Sequence, residues 1–355
     1  MKNGIKGKLY RCIKSMYNRV KVRVRCGSKL TDYIKCTVGV KQGAVCSLVL
    51  FSLFINELTV EVIRKGRHGA SFTNDYFELF ILLLADDVVL LSETVVGLQT
   101  QLNSLQRAAS SLQLKVNMSK SNIIVFRKGV YLGARERWMY DSVVMPVVNL
   151  YRYLGVLFST KLSFTATCCD LSSKAKNAAI CIMQRLRMLN NNSLELFLKL
   201  FDSQVQPIAQ YGAELWGLDI ATVHCEKVHL FAMKKFFGVE MRTPNDLING
   251  ETNRYPLFVN SAVRCIRYWL NSTRMDISRL PCKAYRMLRE LDARGKRNWV
   301  SNVRCKLNQF GFGYVWLNQA VEEINQFLDV LRERLIVFRG QEWNSHVQIS
   351  HRFSV

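Results

Sequence analysis

The sequence predicts an α+β domain followed by a mainly helical region. Up to about residue 160, strand-like and helix-like apolar patterns alternate, whereas from Ser163 onward apolar residues recur at helical spacing. A chain of 355 residues is also long enough for two compact domains. We therefore expect an antiparallel sheet with helices on one face over residues 1–165, and helices over residues 166–355.

The first predicted elements are basic. Residues 4–20 have helical spacing, and residues 21–25 alternate charged side chains with valine, which is typical of a half-buried strand. Residues 33–38 form its predicted hairpin partner. The glycine-bearing turn over residues 39–43 then leads to an apolar helix that begins near Ser47. Backbone N–H groups at such a turn and helix start favour anionic ligands.

Two adjacent carboxylates, Asp86 and Asp87, interrupt an apolar stretch over residues 81–91. The pattern predicts a hairpin over residues 78–92 with the carboxylates at its turn. Carboxylates beside buried strands repel each other and lose hydration, so they need hydrogen bonds, protonation or a metal ion. An ordinary turn is the alternative, because Asp is a common turn residue. The hairpin alone does not separate these two interpretations.

The remaining elements follow from periodicity. A helix is expected from Thr94, its predicted N-cap, to about Leu112, and strands are expected at residues 123–126 and 150–156. Further helices are predicted over residues 170–189, 193–206, 221–237, 257–271, 281–294 and 321–338.

Charge is the strongest compositional signal. The chain has 50 Lys and Arg against 27 Asp and Glu, a net charge of +23. Residues 1–41 hold twelve basic residues and one acid, and residues 261–306 hold twelve against three. Such an excess favours nucleic acid or an anionic membrane surface, although a merely solvated basic surface is the alternative. Aromatic residues in the second segment could stack on bases or pack between helices: Tyr268, Trp269, Tyr285 and Trp299.

Cysteine usage and hydropathy bear on the compartment. None of the eleven cysteines forms a C-x-x-C pair, and the opening residues lack the apolar core of a targeting signal. No uninterrupted apolar run approaches about 18 residues. We therefore expect a soluble intracellular protein without a membrane partner, in either nucleus or cytoplasm. Cys225 and His229 lie four residues apart and could form half of a zinc site, but core roles are favoured.

Four short motifs occur in a fixed order, and together they are more specific than any one of them. They are Gly39-Val40-Lys41-Gln42-Gly43, Leu84-Ala85-Asp86-Asp87, Asn117-Met118-Ser119-Lys120-Ser121 and Tyr153-Leu154-Gly155. Their order and spacing resemble the palm of reverse transcriptases, especially those of non-LTR (LINE-type) retrotransposons. The segments 211–217 and 255–257 are similar to the thumb and C-terminal region of such proteins.

The resemblance implies an RNA-directed DNA polymerase, a nucleotidyltransferase that uses an RNA template, a DNA primer, dNTP and two Mg²⁺ ions. It implies that Asp86 is a metal ligand and that the adjacent Asp87 contributes to metal binding less directly. It also implies that Lys120 approaches the triphosphate. The segment Lys41, Gln42 and Gly43 would border the nucleotide and template. The segment Tyr153, Leu154 and Gly155 would position the primer end. The basic segments 1–41 and 261–306 are the expected nucleic-acid contacts.

Departures from the family pattern limit the expected activity. The family has a first metal-ligating Asp upstream of its Gln-Gly motif, but only Asp32 precedes Gln42, and it lies within the basic hairpin. Leu84 also replaces the usual aromatic residue. We expect a truncated reverse transcriptase that starts midway through the polymerase domain and is weakly active or inactive alone. The alternatives are a non-catalytic RNA- or DNA-binding protein on the same frame, and a basic helical protein without a nucleic-acid role.

Overall fold

The computed structural model describes residues 5–64, 68–72, 77–127, 133 and 136–349. The chain divides into two compact units. The first comprises Met1–Ser71, Phe77–Asn117 and Ala134–Val144, and the second comprises Phe72–Tyr76, Met118–Gly133 and Met145–Val355. The predicted boundary at residue 165 refers to the family's palm and thumb, and it stays a prediction.

Helices and short strands alternate in the first part of the chain, as expected for a mixed α and β region. In chain order they are α1 Gly7–Tyr17, β1 Val20–Val22, β2 Arg25–Cys26, β3 Lys29–Leu30, β4 Ile34–Cys36, α2 Val45–Arg64, β5 Ala70–Phe72, β6 Phe77–Leu79, β7 Ile81–Leu84, β8 Asp87–Leu90, α3 Val95–Ser111, β9 Met139–Tyr140 and β10 Val143–Val144.

The core of the first unit lies between α2, α3 and β7. Its apolar residues recur three or four positions apart, so they form one face of each helix: Ile55, Leu58 and Val62 of α2, and Leu102, Leu105 and Ala109 of α3. The predicted cap of α3 is confirmed, because the Thr94 hydroxyl accepts a hydrogen bond from the Gly97 N–H at 3.0 Å. This cap satisfies one of the N–H groups that a helix start leaves unpaired.

Helix α2 contains a segment that the sequence argument overlooked. Val45–Ile63 is 19 residues long with a mean hydropathy of 1.8, and 22% of its most apolar window is buried. Length and composition alone would therefore allow it to cross a membrane. The criterion of an uninterrupted apolar run did not detect this segment, and the expectation of no membrane partner stays a prediction. The helix continues through Asn56, Glu57 and Glu61.

The second part of the chain is a hairpin followed by helices. Its elements are β11 Leu150–Tyr153, β12 Val156–Ser159, α4 Thr165–Met188, α5 Leu194–Leu200, a π-helical turn Phe201–Val205, α6 Gln206–Ala209, α7 Ala213–Trp216, α8 Thr222–Phe237, α9 Asn245–Thr252, α10 Leu257–Arg274, α11 Leu280–Ala293, α12 Trp299–Gln309, α13 Gly313–Asn318 and α14 Ile324–Ile349. The predicted helical character is confirmed, whereas α7, α9, α12 and α13 were missed.

The predicted helix over residues 193–206 is confirmed as a continuous helical segment, but its hydrogen bonding changes to a π-helical turn at Phe201–Val205. The Gln206 N–H bonds to the Phe201 carbonyl five residues earlier, which is the π-helical pattern. Pro207 follows directly and has no N–H to donate to Ser203, so regular α-helical bonding cannot continue there. Helical spacing of apolar residues does not register this local change.

Two large apolar clusters stabilise the second unit. One surrounds Trp269, which is fully buried against α12 and α14 residues, and the other surrounds Phe197 and Phe201. Trp269 and Tyr285 therefore serve in helix packing, as one of the two predicted alternatives proposed. Replacing a buried Trp by Ala typically costs about 3–5 kcal/mol.

The strands of the described residues pair two by two rather than as one continuous sheet. The predicted hairpins β1–β4 and β7–β8 are confirmed as antiparallel pairs. The strand predicted at residues 123–126 is wrong, because only Ile123 forms a bridge, to Val147. The single strand predicted over residues 150–156 is instead the hairpin β11–β12. The continuous sheet with helices on one face stays a prediction.

Candidate functional site

The two adjacent carboxylates lie at the tip of the hairpin β7–β8. Leu84 pairs with Asp87, so Ala85 and Asp86 form a two-residue turn. Ala85 has a φ of 51°, a left-handed conformation that costs a non-glycine residue about 1–2 kcal/mol. Such strain is concentrated at functional sites in proteins. The turn places Asp86 at the tip and Asp87 at the first position of β8.

The carboxylates are exposed, which corrects one premise of the sequence argument. Both Asp86 and Asp87 are exposed, and Leu84 beside them is 50% exposed. Only the far end of β7, at Ile81, is buried. The expectation that burial strips these carboxylates of hydration was therefore wrong. Water can solvate both charges at the hairpin tip, and a ligand can reach them.

The donor set fits one magnesium ion. Mg²⁺ prefers hard oxygen ligands and usually takes one or two protein carboxylates, with phosphate and water completing its shell. Asp86 and Asp87 provide such a pair. Among the described residues, no group of three His, Cys, Asp or Glu side chains lies close enough to hold a metal. The pair fits an ion that arrives with a phosphate ligand, and the two-ion centre stays a prediction.

The turn over residues 41–43 is held at the start of α2. The Ser47 hydroxyl donates to the Lys41 carbonyl, and the Tyr17 hydroxyl of α1 lies 3.1 Å from the Ser47 oxygen. The Lys41 ammonium lies 6.0 Å from the Tyr17 ring centroid. Gly43 has a φ of 79°, which glycine adopts without strain. Gln42 and Gly43 are exposed, so their turn is both fixed and accessible.

In the second unit, Leu154 and Gly155 form the turn of the hairpin β11–β12. Their φ values are 48° and 83°, and two left-handed residues are the signature of a type I′ turn. The Tyr211 hydroxyl donates to the Leu154 carbonyl at 2.8 Å. A Cβ on Gly155 would lie 3.0 Å from Tyr211 Cε1. Tyr153 packs beside Phe158, with ring centroids 6.5 Å apart. This turn is docked against the helical region.

An ion pair that the sequence argument missed also anchors this hairpin. Both Arg152 terminal nitrogens donate to the Asp170 carboxylate at 2.9 Å, and Lys174 lies 2.9 Å from it. The hydrogen bond from Arg152, with a smaller one from Lys174, lowers the pKa of Asp170 to about 2. Only the i,i+4 spacing of Asp170 and Lys174 was visible in the sequence.

The segments 211–217 and 255–257 meet in the second unit. Buried Gln210 donates to the Leu257 carbonyl at 2.8 Å and to the Ser261 hydroxyl at 3.0 Å. A Cβ on Gly217 would lie 2.2 Å from the Ser261 carbonyl oxygen, so only glycine fits. Together with the Tyr211 contact to Leu154, these bonds connect three motifs that are far apart in sequence.

Lys120 follows the turn that leads to Ile123. Its side chain is exposed, and its carbonyl accepts a hydrogen bond from the Tyr151 hydroxyl at 3.1 Å. Lys120 and the segment 153–155 belong to the second unit, whereas the segment 41–43 and the Asp pair belong to the first. Assembly of all these residues into one site stays a prediction.

Cys225 and His229 have structural partners. The Cys225 thiol donates to the Ala209 carbonyl at 2.9 Å, and His229 Nδ1 lies 3.1 Å from Glu226. Both residues are buried, so the favoured core roles are confirmed. A hydrogen bond with Cys225 raises the pKa of the buried Cys168 thiol, which keeps that thiol protonated.

Comparison with known proteins agrees with the motif order. Residues 3–158 match the family model described as reverse transcriptase (RNA-dependent DNA polymerase). These residues are a reverse transcriptase domain. The match includes the turn over residues 41–43, the hairpin β7–β8, Lys120 and the turn of β11–β12.

Similar proteins come from non-LTR retrotransposons. The chain is 22% identical over 232 residues to the RNA-directed DNA polymerase from mobile element jockey of Drosophila melanogaster, covering 64% of this chain and 24% of the relative. It is 27% identical over 235 residues to the retrovirus-related Pol polyprotein from type-1 retrotransposable element R2 of Popillia japonica, and this alignment covers 63% of this chain and 31% of the relative. The aligned segments thus span about a quarter to a third of these relatives. Reverse transcriptases generally use Mg²⁺.

Proposed function

We propose that this reverse transcriptase domain acts in RNA-templated DNA synthesis, in which a primer 3′-hydroxyl attacks the α-phosphate of a dNTP. The observation that carries the proposal is the strained two-residue turn of β7–β8, which exposes Asp86 and Asp87 inside the matched segment. Exposed adjacent carboxylates suit a magnesium–nucleotide complex rather than a structural role. The proposed fold around them is a palm over residues 1–165, followed by a thumb-like region.

Each predicted residue has one task. Asp86 and Asp87 hold the ion, and a bound Mg²⁺ supplies positive charge that stabilises the transferring phosphates. Lys120 balances the triphosphate charge and donates a proton to the leaving pyrophosphate. The accessible turn of Gln42 and Gly43 borders the nucleotide and template, with Lys41 beside them.

The docked turn of β11–β12 has the remaining task, which is to position the primer end. Tyr153 and Leu154 precede Gly155 in this hairpin, and the Tyr211 hydrogen bond limits its movement. Misplacing reacting groups by about 1 Å can cost roughly 100-fold in rate. A fixed turn at the primer end is therefore useful.

We further propose that the 355-residue chain by itself is weakly active or inactive. Asp32 is the only acidic residue before Gln42, and it is exposed in the basic hairpin segment. Among the described residues, no further carboxylate lies close enough to complete a two-ion centre with the Asp pair. A missing ligand should cost more than the roughly 100-fold loss that misplacement causes.

Two exposed basic surfaces support nucleic acid as the partner. Helix α1 has no buried residue, and the β1–β4 hairpin carries exposed Lys and Arg. On α11 and its N-cap, basic residues recur three or four positions apart and form one stripe: Arg279, Lys283, Arg286 and Arg289. Phosphate contacts from such surfaces make binding strongly dependent on salt.

A primer-extension assay on an RNA template tests the proposal. We expect at most weak Mg²⁺-dependent incorporation by this chain, and at least a 100-fold further loss in Asp86→Asn. Asp141→Asn is the matched control, because Asp141 is also exposed at a hairpin turn of the first unit. Incorporation unaffected by Asp86→Asn would refute the assigned site.

The alternative is a non-catalytic RNA- or DNA-binding protein. The exposed basic surfaces favour it as much as they favour the polymerase. Salt-sensitive binding without any incorporation would support this alternative. No binding at low salt would contradict both functions. Full incorporation by this chain would contradict the proposed weak activity while supporting the polymerase assignment.

A further inference from the structure

A polar cavity of about 450 Å³ lies in the second unit, and its lining includes none of the residues assigned above to polymerase chemistry. Its volume is within the range of about 300–1,000 Å³ typical of small-ligand sites. Its walls carry two guanidinium groups, three carboxamides, one carboxylate and one phenol ring. The lining residues are Asp202, Gln206, Asn253, Arg254, Tyr255, Leu257, Asn260 and Arg332.

Two backbone irregularities shape this cavity. Asp202 lies within the π-helical turn, and Gln206 directly follows it. Asn253 has a φ of 47°, which is left-handed. Single π-helical turns and strained residues are both concentrated at functional sites. Pro207 accounts for the π-helical turn, and Asn253 is the left-handed C-cap of α9, so both features shape the cavity wall without by themselves indicating a ligand.

The charges in the cavity are only partly balanced. Arg254 donates two hydrogen bonds to Asp202, and its guanidinium lies 5.6 Å from the Phe201 ring centroid. Arg332 differs, since its Nε atom is buried and has no hydrogen-bond partner among the described residues. A buried donor without an acceptor costs about 1–3 kcal/mol. The Arg332 side chain as a whole is 41% exposed, so an acceptor of a ligand can reach its terminal nitrogens rather than the buried Nε.

The size of the unbalanced charge defines the ligand. Asp202 balances Arg254, and the nearest carboxylate to Arg332 is Asp329, 3.7 Å from Nη1 and 71% exposed. An exposed pair of this kind contributes little. About one positive charge remains, which matches a single phosphodiester. It does not match the several negative charges of a triphosphate.

The neutral groups of the cavity suit a nucleobase. Asn and Gln carboxamides can both donate and accept, as recognition of base edges requires. Tyr255 is 45% exposed, which leaves its ring available for stacking. A phosphodiester site next to carboxamides and an open aromatic ring has the chemistry of one unstacked nucleotide.

We propose that this cavity binds one unstacked nucleotide of a single-stranded nucleic acid, with its phosphate at Arg332 and its base against Tyr255. The inference rests on the proposed function only for the presence of a nucleic-acid strand. It needs no polymerase activity. The cavity thus adds a strand contact separate from the basic surfaces of α1 and α11.

Fluorescence anisotropy of the full chain with a labelled 15-nucleotide single-stranded RNA tests the proposal. We expect Arg332→Gln to raise Kd about tenfold. A plot of the logarithm of the association constant against the logarithm of the salt concentration should become less steep by roughly 0.7, which is the contribution of one phosphate contact on a single strand. Tyr255→Leu should also raise Kd about tenfold, but should leave the slope unchanged, because stacking involves no counterion.

Arg334→Gln is the matched control. It removes the same charge from the same helix, at an exposed position outside the cavity lining. We expect less than a roughly twofold change in Kd. Equal losses in Arg332→Gln and Arg334→Gln would overturn the proposal in favour of diffuse attraction. Arg332→Lys, which keeps the charge, should bind better than Arg332→Gln. Each variant's melting temperature shows that it is folded.

Three further outcomes are decisive. RNA and DNA versions of the oligonucleotide identify the strand, and the Arg332→Gln loss must appear with at least one of them. Displacement of the strand from the cavity by free dNTP, abolished in Arg332→Gln, would overturn the single-phosphate assignment. Absent primer extension with intact, Arg332-dependent binding would refute polymerase activity in this chain and leave the cavity proposal standing.

Discussion

Two hairpins of this protein have the same length of turn but very different surroundings. The turn of β7–β8 begins with Ala85 at φ 51°, and the turn of β11–β12 begins with Leu154 at φ 48°. The first exposes two carboxylates, and no side chain elsewhere in the described residues donates a hydrogen bond to them. The second is bonded to Tyr211 and, through Arg152, to Asp170.

The difference shows how turns of the same length serve two purposes. An exposed pair of charges can accept a ligand because water is easily displaced from it. A turn that must keep a strand end in place instead needs contacts from a second element. We expect mutations to affect mainly stability in the docked hairpin and mainly activity in the exposed one.

Among substitutions in the two hairpins, the largest effect on stability is expected from Gly155→Ala. The alanine would have to keep the left-handed φ of 83° that Gly155 has, and its Cβ would lie 3.0 Å from Tyr211 Cε1. We expect a loss of about 2–3 kcal/mol in the free energy of unfolding, measured by urea denaturation.

Gly43→Ala is the matched control for that substitution. Gly43 is also left-handed, but nothing lies within 4 Å of the position of its missing Cβ. Gly43→Ala should lower the free energy of unfolding by about 1–2 kcal/mol, from backbone strain alone. Equal losses at the two glycines would show that the Tyr211 contact contributes nothing to docking.

A smaller effect is expected from Arg152→Gln, which removes the ion pair with Asp170. The loss should be about 1 kcal/mol at neutral pH, because Arg152 is 41% exposed and solvent screens the pair. The pKa of Asp170 is lowered to about 2 in the folded protein, whereas an unfolded Asp titrates near 3.9.

The sign of the pH dependence follows from this lowered pKa. A carboxyl group with a lower pKa when folded stabilises the protein above its unfolded pKa, and the stabilisation is lost as pH falls from about 4 to about 2. The difference in unfolding free energy between wild type and Arg152→Gln should shrink over that window. A difference that is constant from pH 6 to pH 2 would contradict the ion pair.

The smallest effect on stability is expected from Asp86→Asn. Because Asp86 is exposed at a hairpin tip, the substitution should change the free energy of unfolding of the protein by no more than about 0.5 kcal/mol. Circular dichroism melts of wild type and variant measure this. A loss above 2 kcal/mol would mean that Asp86 supports the fold, and would weaken its assignment as a metal ligand.

Local pattern predicted several elements correctly. The apolar runs on either side of Asp86 and Asp87 predicted the hairpin β7–β8, and Thr94 predicted the start of α3. Periodicity did not predict the exposure of Asp86 and Asp87, because exposure depends on what packs against a strand. It also missed the π-helical turn before Pro207, since one altered hydrogen bond hardly changes apolar spacing.

The sequence by itself predicted the resemblance to reverse transcriptases, which the family match over residues 3–158 supports, and it named the candidate site residues, because short motifs place chemical groups in order along the chain. Only the tertiary structure decided that Tyr211 holds the Leu154 turn, that Arg152 pairs with Asp170, and that the cavity at Arg332 exists. The residues that these contacts and this cavity bring together are separated by up to 130 positions in the sequence, as are Asp202 and Arg332 of the cavity lining. Packing brings them together, and no local pattern encodes such a contact.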